Sequence, residues 1–287
     1  MATSLTYRRA IRELADFFGL SPTDDAVYEH RRAFDPAGYA SRLLRATGTD
    51  WLLVDDGFPP PSKSAGWDEL SELADCNARP VLRIERLSEE LPDFDALRAE
   101  IAAARRNGFI ALKTIAAYRR GLDVVGETLR AALEANEKTG EALPVQVHTG
   151  FGDADLFLPR ADPSYLKTLI ERFRETQFVL LHCYPFVREA GWLAHVYGNV
   201  FLDLSLTIPY VSRPAEAVRE ALELAPVSKL LYASDAARTP ELYFLAAKWW
   251  REALAEVLPE ELEPAETEEA GRRILRENAL ELYGLGA

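Results

Sequence analysis

The sequence predicts an α/β chain built from repeated βα units that curl into a barrel. Three observations carry that prediction. Seven short apolar runs recur along the chain: "WLLVDD" (51–56), "PVLRIE" (80–85), "FIALKTI" (109–115), "PVQVHT" (144–149), "FVLLHC" (178–183), "VFLDLS" (200–205) and "KLLYAS" (229–234). Helical patterns lie between most of them. Each run also ends at or near a polar residue: Asp56, Glu85, Lys113, His148, His182, Ser205 and Asp235, spaced by 29, 28, 35, 34, 23 and 30 residues. A βα unit needs about 30 residues. Strands apolar on both faces suit a parallel sheet covered by helices. No GxGxxG follows any run, which argues against an open dinucleotide-binding sheet. A TIM-type (β/α) barrel with a helical N-terminal extension is therefore expected.

In chain order, "SLTYRRAIRELADFFGL", "DDAVYEHRRAF" and "PAGYASRLLRATG" read as helices before the first strand at Trp51. The helix after the second run repeats apolar positions at Phe94, Leu97, Ile101 and Ala104 and stops at Asn107-Gly108. The pattern "DVVGETLRAALEANEKTG" ends on Gly140, a good residue just past a helix. Asp162 and Pro163 are suited to the N-cap and first position of the helix over 162–176. The acidic run 259–269 reads as a solvated connection into the last helix. "KWW" at 248–250 reads as helix packing on the outside of the barrel.

The totals bound the rest. A chain of 287 residues with 48% hydrophobic residues is globular, and α/β barrels reach this length as one domain, so residues 1–287 are read as a single unit. No apolar run approaches the ~18 residues of a membrane helix, and the N-terminus lacks a signal-peptide core. A cytoplasmic location is expected. The 33 basic against 46 acidic residues leave a net charge of −13, which repels phosphate backbones and disfavours a nucleic-acid partner. Cys76 and Cys183 stand apart, without a disulfide framework or a cysteine metal motif.

The strand ends carry the chemistry. In a barrel the C-terminal ends of the strands form the active-site face. A single His148 there could equally be a core histidine, but seven polar ends on one rim, two of them histidine, point to a functional cluster. His148, His182 and Asp235 offer two neutral nitrogens and one carboxylate, a set suited to Zn²⁺ and also to Fe²⁺ or Mn²⁺. Asp235 can alternatively act as a base on water. Lys113 is either a charge at the mouth, a contact for a substrate carboxylate, or a carbamylated metal bridge.

The segments "VQVHTGFGDADLFLPRADPSYL", "VLLHCYPFVREAGWLAHVYGNVFLDLSL", "KLLYASDAARTPELYFLAAKWWREAL" and "ILRENALELYGL" resemble amidohydrolase-related proteins of the metal-dependent hydrolase superfamily. "LLVDDGF" and "ALKTIAAYRRGLDV" resemble the FluG-type branch, whose members occur fused or adjacent to glutamine synthetase-like proteins. The resemblance runs from about residue 40 to the end. It implies a (β/α)8 barrel with one or two divalent metals. It implies His148 and His182 as metal histidines and Asp235 as a metal-binding proton shuttle. Glu85, Tyr118 and Arg119 fall in segments typical of the branch and are implied to line the substrate pocket with Lys113.

One departure matters. The superfamily opens with a strand ending in His-x-His, and none of His30, His148, His182 and His195 forms that pair. Three explanations compete: a late start, loss of the first strand, or a partner that supplies it. His30 is expected to be solvated or packed on its helix, and His195 to lie on a helix surface. The leading expectation is hydrolysis of a C–N or amide bond in a small acidic substrate by metal-activated water. His182 would polarise the carbonyl and Asp235 would move the proton. The alternatives are metal-dependent non-oxidative decarboxylation and a non-catalytic barrel with a binding role. The expected partners are a small-molecule substrate and either a second copy of the chain or a glutamine synthetase-like protein.

Overall fold

The computed structural model describes residues 3–55, 57, 65–237 and 239–286. The N-terminal patterns form α1 (Leu5–Phe18), α2 (Asp24–Ala33) and α3 (Pro36–Arg45). Side chains of Ser4, Thr23 and Asp35 accept the N–H groups of Tyr7, Ala26 and Gly38 and so cap each helix start. His30 packs its ring between Phe18 and Phe34, in keeping with a helix-packed role.

Repeating units follow: β1 (Trp51–Val54), α4 (Trp67–Ala74), β2 (Asn77–Arg83), α5 (Ile84–Glu90), α6 (Phe94–Ala103) and β3 (Ala111–Thr114). Next come α7 (Glu127–Glu137), β4 (Val145–His148), α8 (Lys167–Arg172), β5 (Phe178–Leu181), α9 (Val187–Val196) and β6 (Val200–Asp203). The chain ends with α10 (Thr207–Tyr210), α11 (Pro214–Leu222), β7 (Leu230–Leu231), α12 (Pro240–Val257), α13 (Pro264–Arg272) and α14 (Asn278–Tyr283). The strands pair in parallel as one sheet in the order β1 to β7. This is the TIM-type arrangement the sequence predicts. Among the described residues β1 and β7 do not pair with each other, so the curled sheet is not closed by a strand there. Among them also, no helix is long and apolar enough to cross a membrane.

Alternation along the strands builds two cores. Leu112, Val145, Val147, Phe178, Leu180, Val200, Leu202 and Leu230 face the helices and join the larger cluster, which includes the buried Trp249 and Trp250. The other set, Val81, Ala111, Val179, Leu181 and Leu231 with Trp51, Leu53 and Phe201, faces the concave side. There it packs on Tyr283 and Leu285, while Gln146 Nε2 donates to Tyr283 Oη at 3.0 Å. The end of the chain therefore fills the barrel interior.

The same segment satisfies the free edge of β7. Tyr232 N–H donates to Ile274 O at 3.0 Å, inside the π-helical turn Arg273–Glu277. Asn278 Nδ2 donates to Val227 O and Leu230 O at 2.8 and 2.9 Å. These bonds explain why β7 ends at Leu231 and does not run to 234: its next donor is already engaged. An edge whose polar groups are occupied in this way is protected from pairing with other strands.

Other boundaries differ from expectation. β2 covers 77–83, because Asn77 to Pro80 pair with Trp51 to Val54. Ile84 then starts a helix, so Glu85 lies two residues beyond the strand end, in the helix's first turn. α7 starts after Gly126 and not at 123. Residues 163–166 form a 3₁₀ turn, which Asp162 caps through Ser164 N–H at 2.8 Å. The acidic run, expected to be a connection, folds into α13 behind a capping box of Glu263 and Glu266. Asp56 lies outside the described residues.

Candidate active site

Because side chains alternate, residues that share a face with the interior cluster emerge at the C-terminal mouth. Arg83 follows Val81, Lys113 follows Ala111, His148 follows Gln146 and Asp203 follows Phe201. Asp55 extends the Trp51, Leu53 face of β1. These five side chains build the walls of the site.

His182 breaks the alternation. By parity it would join Leu180 on the helix side. Its backbone is left-handed, with φ of 69° followed by 65° at Cys183. Such φ values are unfavourable for residues with a Cβ and mark strain that the surroundings must hold. They are held: Asp203 Oδ1 accepts His182 N–H at 2.9 Å, and Thr207 Oγ1 donates to His182 O at 2.6 Å. The turn brings the two imidazoles together, 4.5 Å between ring centroids at 62°. His148 also touches Tyr118, 4.7 Å between centroids. Tyr118 Oη accepts the N–H of Asp153 at 2.9 Å. Gly152 covers this pair, since a Cβ there would overlap Tyr118 Oη and come within 3.1 Å of His148 Nε2.

The environment keeps both histidines neutral. Burial first, then the neighbouring His182 and Lys113, hold the His148 imidazole well below its ordinary 6.5. Burial and Lys113 do the same to His182. Folded-state values below the unfolded one mean that the unfolded chain takes up these protons first. The imidazoles' contribution to stability is thus full above about pH 6.5 and is lost as pH falls. Asp203 acts in the opposite sense: burial pushes its carboxyl up to about 6 against bonds from His182 and Ser205, so its share grows as pH falls through that value. The two are separable by following the imidazole C2–H resonances by NMR. At pH 6, His148 and His182 are expected to give neutral-form shifts. Titration of either ring near 6.5 would contradict the burial argument.

Asp55 and Arg83, half-buried, and Lys113, buried, form an ion triad. Arg83 Nη2 lies 2.5 Å and Lys113 Nζ 3.4 Å from Asp55 Oδ2, and Gly57 N–H donates to Oδ1 at 2.9 Å. Burial pulls the Asp55 carboxyl upward, but Lys113 and Arg83 outweigh it and leave it below its usual range. Asp235 stands in the loop after β7 with left-handed φ of 46°. The residue as a whole is exposed. Desolvation of its carboxyl, with Asp55 adding to it, pushes the group up against Lys113 and His148.

The structure brings together His148, His182, Lys113 and Tyr118, with Asp235 in electrostatic contact with His148 and Lys113. It places two expected residues elsewhere. Glu85 is buried and holds the turn after β3, accepting from Thr114 Oγ1 at 2.5 Å and Ile115 N–H at 3.1 Å. Arg119 is turned outward and pairs with Glu89 at 2.7 Å. The 3₁₀ turn Ala116–Tyr118 is the cause, because it points Tyr118 inward and the next residue away. Asp55, Arg83 and Asp203 were not singled out by the sequence, although each is a charged residue on the concave parity of its strand.

A divalent cation can be tested against these donors. His148 Nε2 is buried and has no hydrogen-bond partner among the described residues. His182 stands beside it with its Nδ1 held by Ser205. Two neutral, convergent imidazoles fit a borderline cation. The expected three-ligand set is not assembled, however. Among the described residues no group of three His, Cys, Asp or Glu side chains is placed to hold a metal ion. Asp235 sits four residues beyond β7, on a loop and not on the rigid strand end.

Comparisons with known proteins agree with this architecture. The amidohydrolase family profile matches residues 73–285. The chain is 40% identical, over an alignment of 357 positions, to Protein fluG of Emericella nidulans, covering 99% of this chain but 41% of that one. The chain thus spans about two fifths of that relative. The crystal structure of a candidate metal-dependent hydrolase from Lactobacillus casei ATCC 334 superposes with a TM-score of 0.85 at 28% identity, covering 99% of this chain and 85% of the other. A uronate isomerase from Bacillus halodurans C-125 superposes with a TM-score of 0.70 at 14% identity, covering 98% and 77%, a likeness of fold alone.

Proposed function

The chain belongs to the amidohydrolase family, and from that premise we propose that it hydrolyses a C–N or amide bond in a small substrate carrying an acidic group. The observation that carries this reading is the pair of convergent buried imidazoles at the C-terminal mouth, with His148 Nε2 unpartnered among the described residues. These two histidines would hold a divalent cation, with Zn²⁺ the first choice. The chemistry supplied by such a cation, when bound, is Lewis acidity, which brings the pKa of water toward neutrality and polarises a carbonyl.

The chain's own groups do the remaining work. Asp235, whose carboxyl is pushed upward at the mouth, takes a proton from the attacking water and returns it to the leaving nitrogen. Lys113 and Arg83 share one carboxylate, Asp55, and keep further N–H donors for an anionic group of the substrate. Tyr118 and Gly152 form the side of the pocket over His148.

The test is reconstitution of the full chain with Zn²⁺, Mn²⁺ or Fe²⁺, followed by a screen of γ-glutamyl amides for released amine. Stoichiometric metal and turnover that His148→Ala abolishes are expected. Substoichiometric metal that His148→Ala leaves unchanged would favour a binding barrel. Release of carbon dioxide without amine would favour decarboxylation.

A further inference from the structure

We infer that Asp203 and Ser205 are positioning residues that fix the His182 imidazole as its Nδ1–H tautomer and leave the Nε2 lone pair free for the site. The inference rests on the proposed function for its purpose, but its argument is one of hydrogen bonds alone.

Asp203 Oδ1 accepts three donors. Two are backbone N–H groups, of His182 at 2.9 Å and of Ser205 at 2.9 Å, which can only donate. The third partner is Ser205 Oγ at 2.6 Å. An oxygen that already accepts two N–H groups is poorly placed to carry a proton of its own. The serine hydroxyl therefore donates to it. A hydroxyl has one hydrogen, and this one is spent. At the 2.7 Å contact between Ser205 Oγ and His182 Nδ1, the imidazole must then be the donor. Leu206 N–H donates toward Nδ1 at 3.4 Å and so opposes a proton there, but it is the longest of these contacts and is outweighed by the 2.6 and 2.7 Å contacts of Ser205. With Nδ1 protonated, a neutral imidazole has its lone pair on Nε2.

The four groups are buried: Asp203, Ser205, His182 and Thr207 are each no more than 3% exposed. Water does not compete for these bonds, so the relay has one arrangement. Its parts come from two adjacent strand ends, β5 and β6, and the same Asp203 oxygen also holds the strained turn at His182. Position and tautomer are thus set by one carboxylate. A ligating or polarising histidine whose second nitrogen donates to such a chain is oriented and made more basic.

The test is ¹⁵N NMR of the imidazoles in the full-length, metal-free chain above pH 7. The wild type is expected to show His182 with a protonated Nδ1 and an unprotonated Nε2. Ser205→Ala removes the acceptor and is expected to move His182 toward the Nε2–H form, while Ser205→Thr, which keeps the hydroxyl, restores the wild-type pattern. Co²⁺ affinity is expected to fall about 10- to 100-fold in Ser205→Ala and to recover in Ser205→Thr. A wild-type His182 protonated at Nε2, or a Ser205→Ala spectrum identical to wild type, would overturn the assignment. Loss of the fold in Ser205→Ala leaves the wild-type and Ser205→Thr spectra to decide. A chain that shows the Nδ1–H form but hydrolyses nothing would retain this inference and sink the proposed function.

Discussion

His148→Ala is expected to lower divalent-cation affinity by more than about 100-fold, beyond the usual effect of losing a supporting residue around a metal, with little loss of fold stability. The argument starts from the orphaned atom. His148 Nε2 is buried without a partner among the described residues, and such a group costs about 1–3 kcal/mol while it stays unpaired. Alanine removes that cost but opens a space beside Tyr118 and His182. The two changes oppose each other, so urea unfolding should shift little. Binding has no such compensation. One of the two convergent nitrogens disappears, and among the described residues no three-ligand group stands by to replace it. Calorimetric titration with Co²⁺ or Zn²⁺ checks the first half and denaturant unfolding the second. A variant that binds the cation normally would remove His148 from the site. A variant that unfolds would show that its role is to fill the core.

The sequence made much of this legible, and physical reasons separate what was read from what was not. Strand repeats follow from apolar runs spaced by helices, and all seven runs contain strands: β2, β3, β5, β6 and β7 put apolar side chains into the clusters on both faces, β1 only into the concave one and β4 only into the helix-side one. His148 and Lys113 were readable because they end strands on the concave parity. Asp55 and Arg83 were readable by the same rule: period two places Asp55 with Trp51 and Leu53, and Arg83 with Val81. The ends of the apolar runs drew attention one or two residues too far along. His182 was found for its identity, but its inward direction depends on two left-handed residues that parity would forbid. Glu85 shows the reverse error. A carboxylate near a strand end looks like a pocket residue, yet a helix begins at Ile84 and turns it onto Thr114. The filling of the interior by Tyr283 and Leu285 was not legible either, since it depends on where the chain's end folds back and not on any local pattern.

The Asp55 triad gives the largest expected effect on stability. Asp55→Ala leaves the half-buried Arg83 and the buried Lys113 adjacent, with side chains 15% and 11% exposed, and removes the carboxylate between them. Breaking a buried pair by deleting one partner typically costs about 3–5 kcal/mol, because the remaining charge is uncompensated. Here two cations remain, so the upper part of that range is expected. Gly57 N–H also loses its acceptor. Asp55→Ala combined with Arg83→Met removes one cation together with the anion and fills its space with an apolar chain. It should recover a substantial part of the loss, because residues that share a partner are not additive. Urea denaturation of wild type, the two single variants and the double variant closes the cycle. If Asp55→Ala costs less than about 1 kcal/mol, the value of an exposed ion pair, the triad is solvated in solution. Arg83 and Lys113 would then already be open to anions, and the pocket would be more accessible than its buried geometry implies. If the double variant is no better than the single, mutual repulsion of the two cations is not the source of the loss, and the lost Gly57 contact becomes the leading cause.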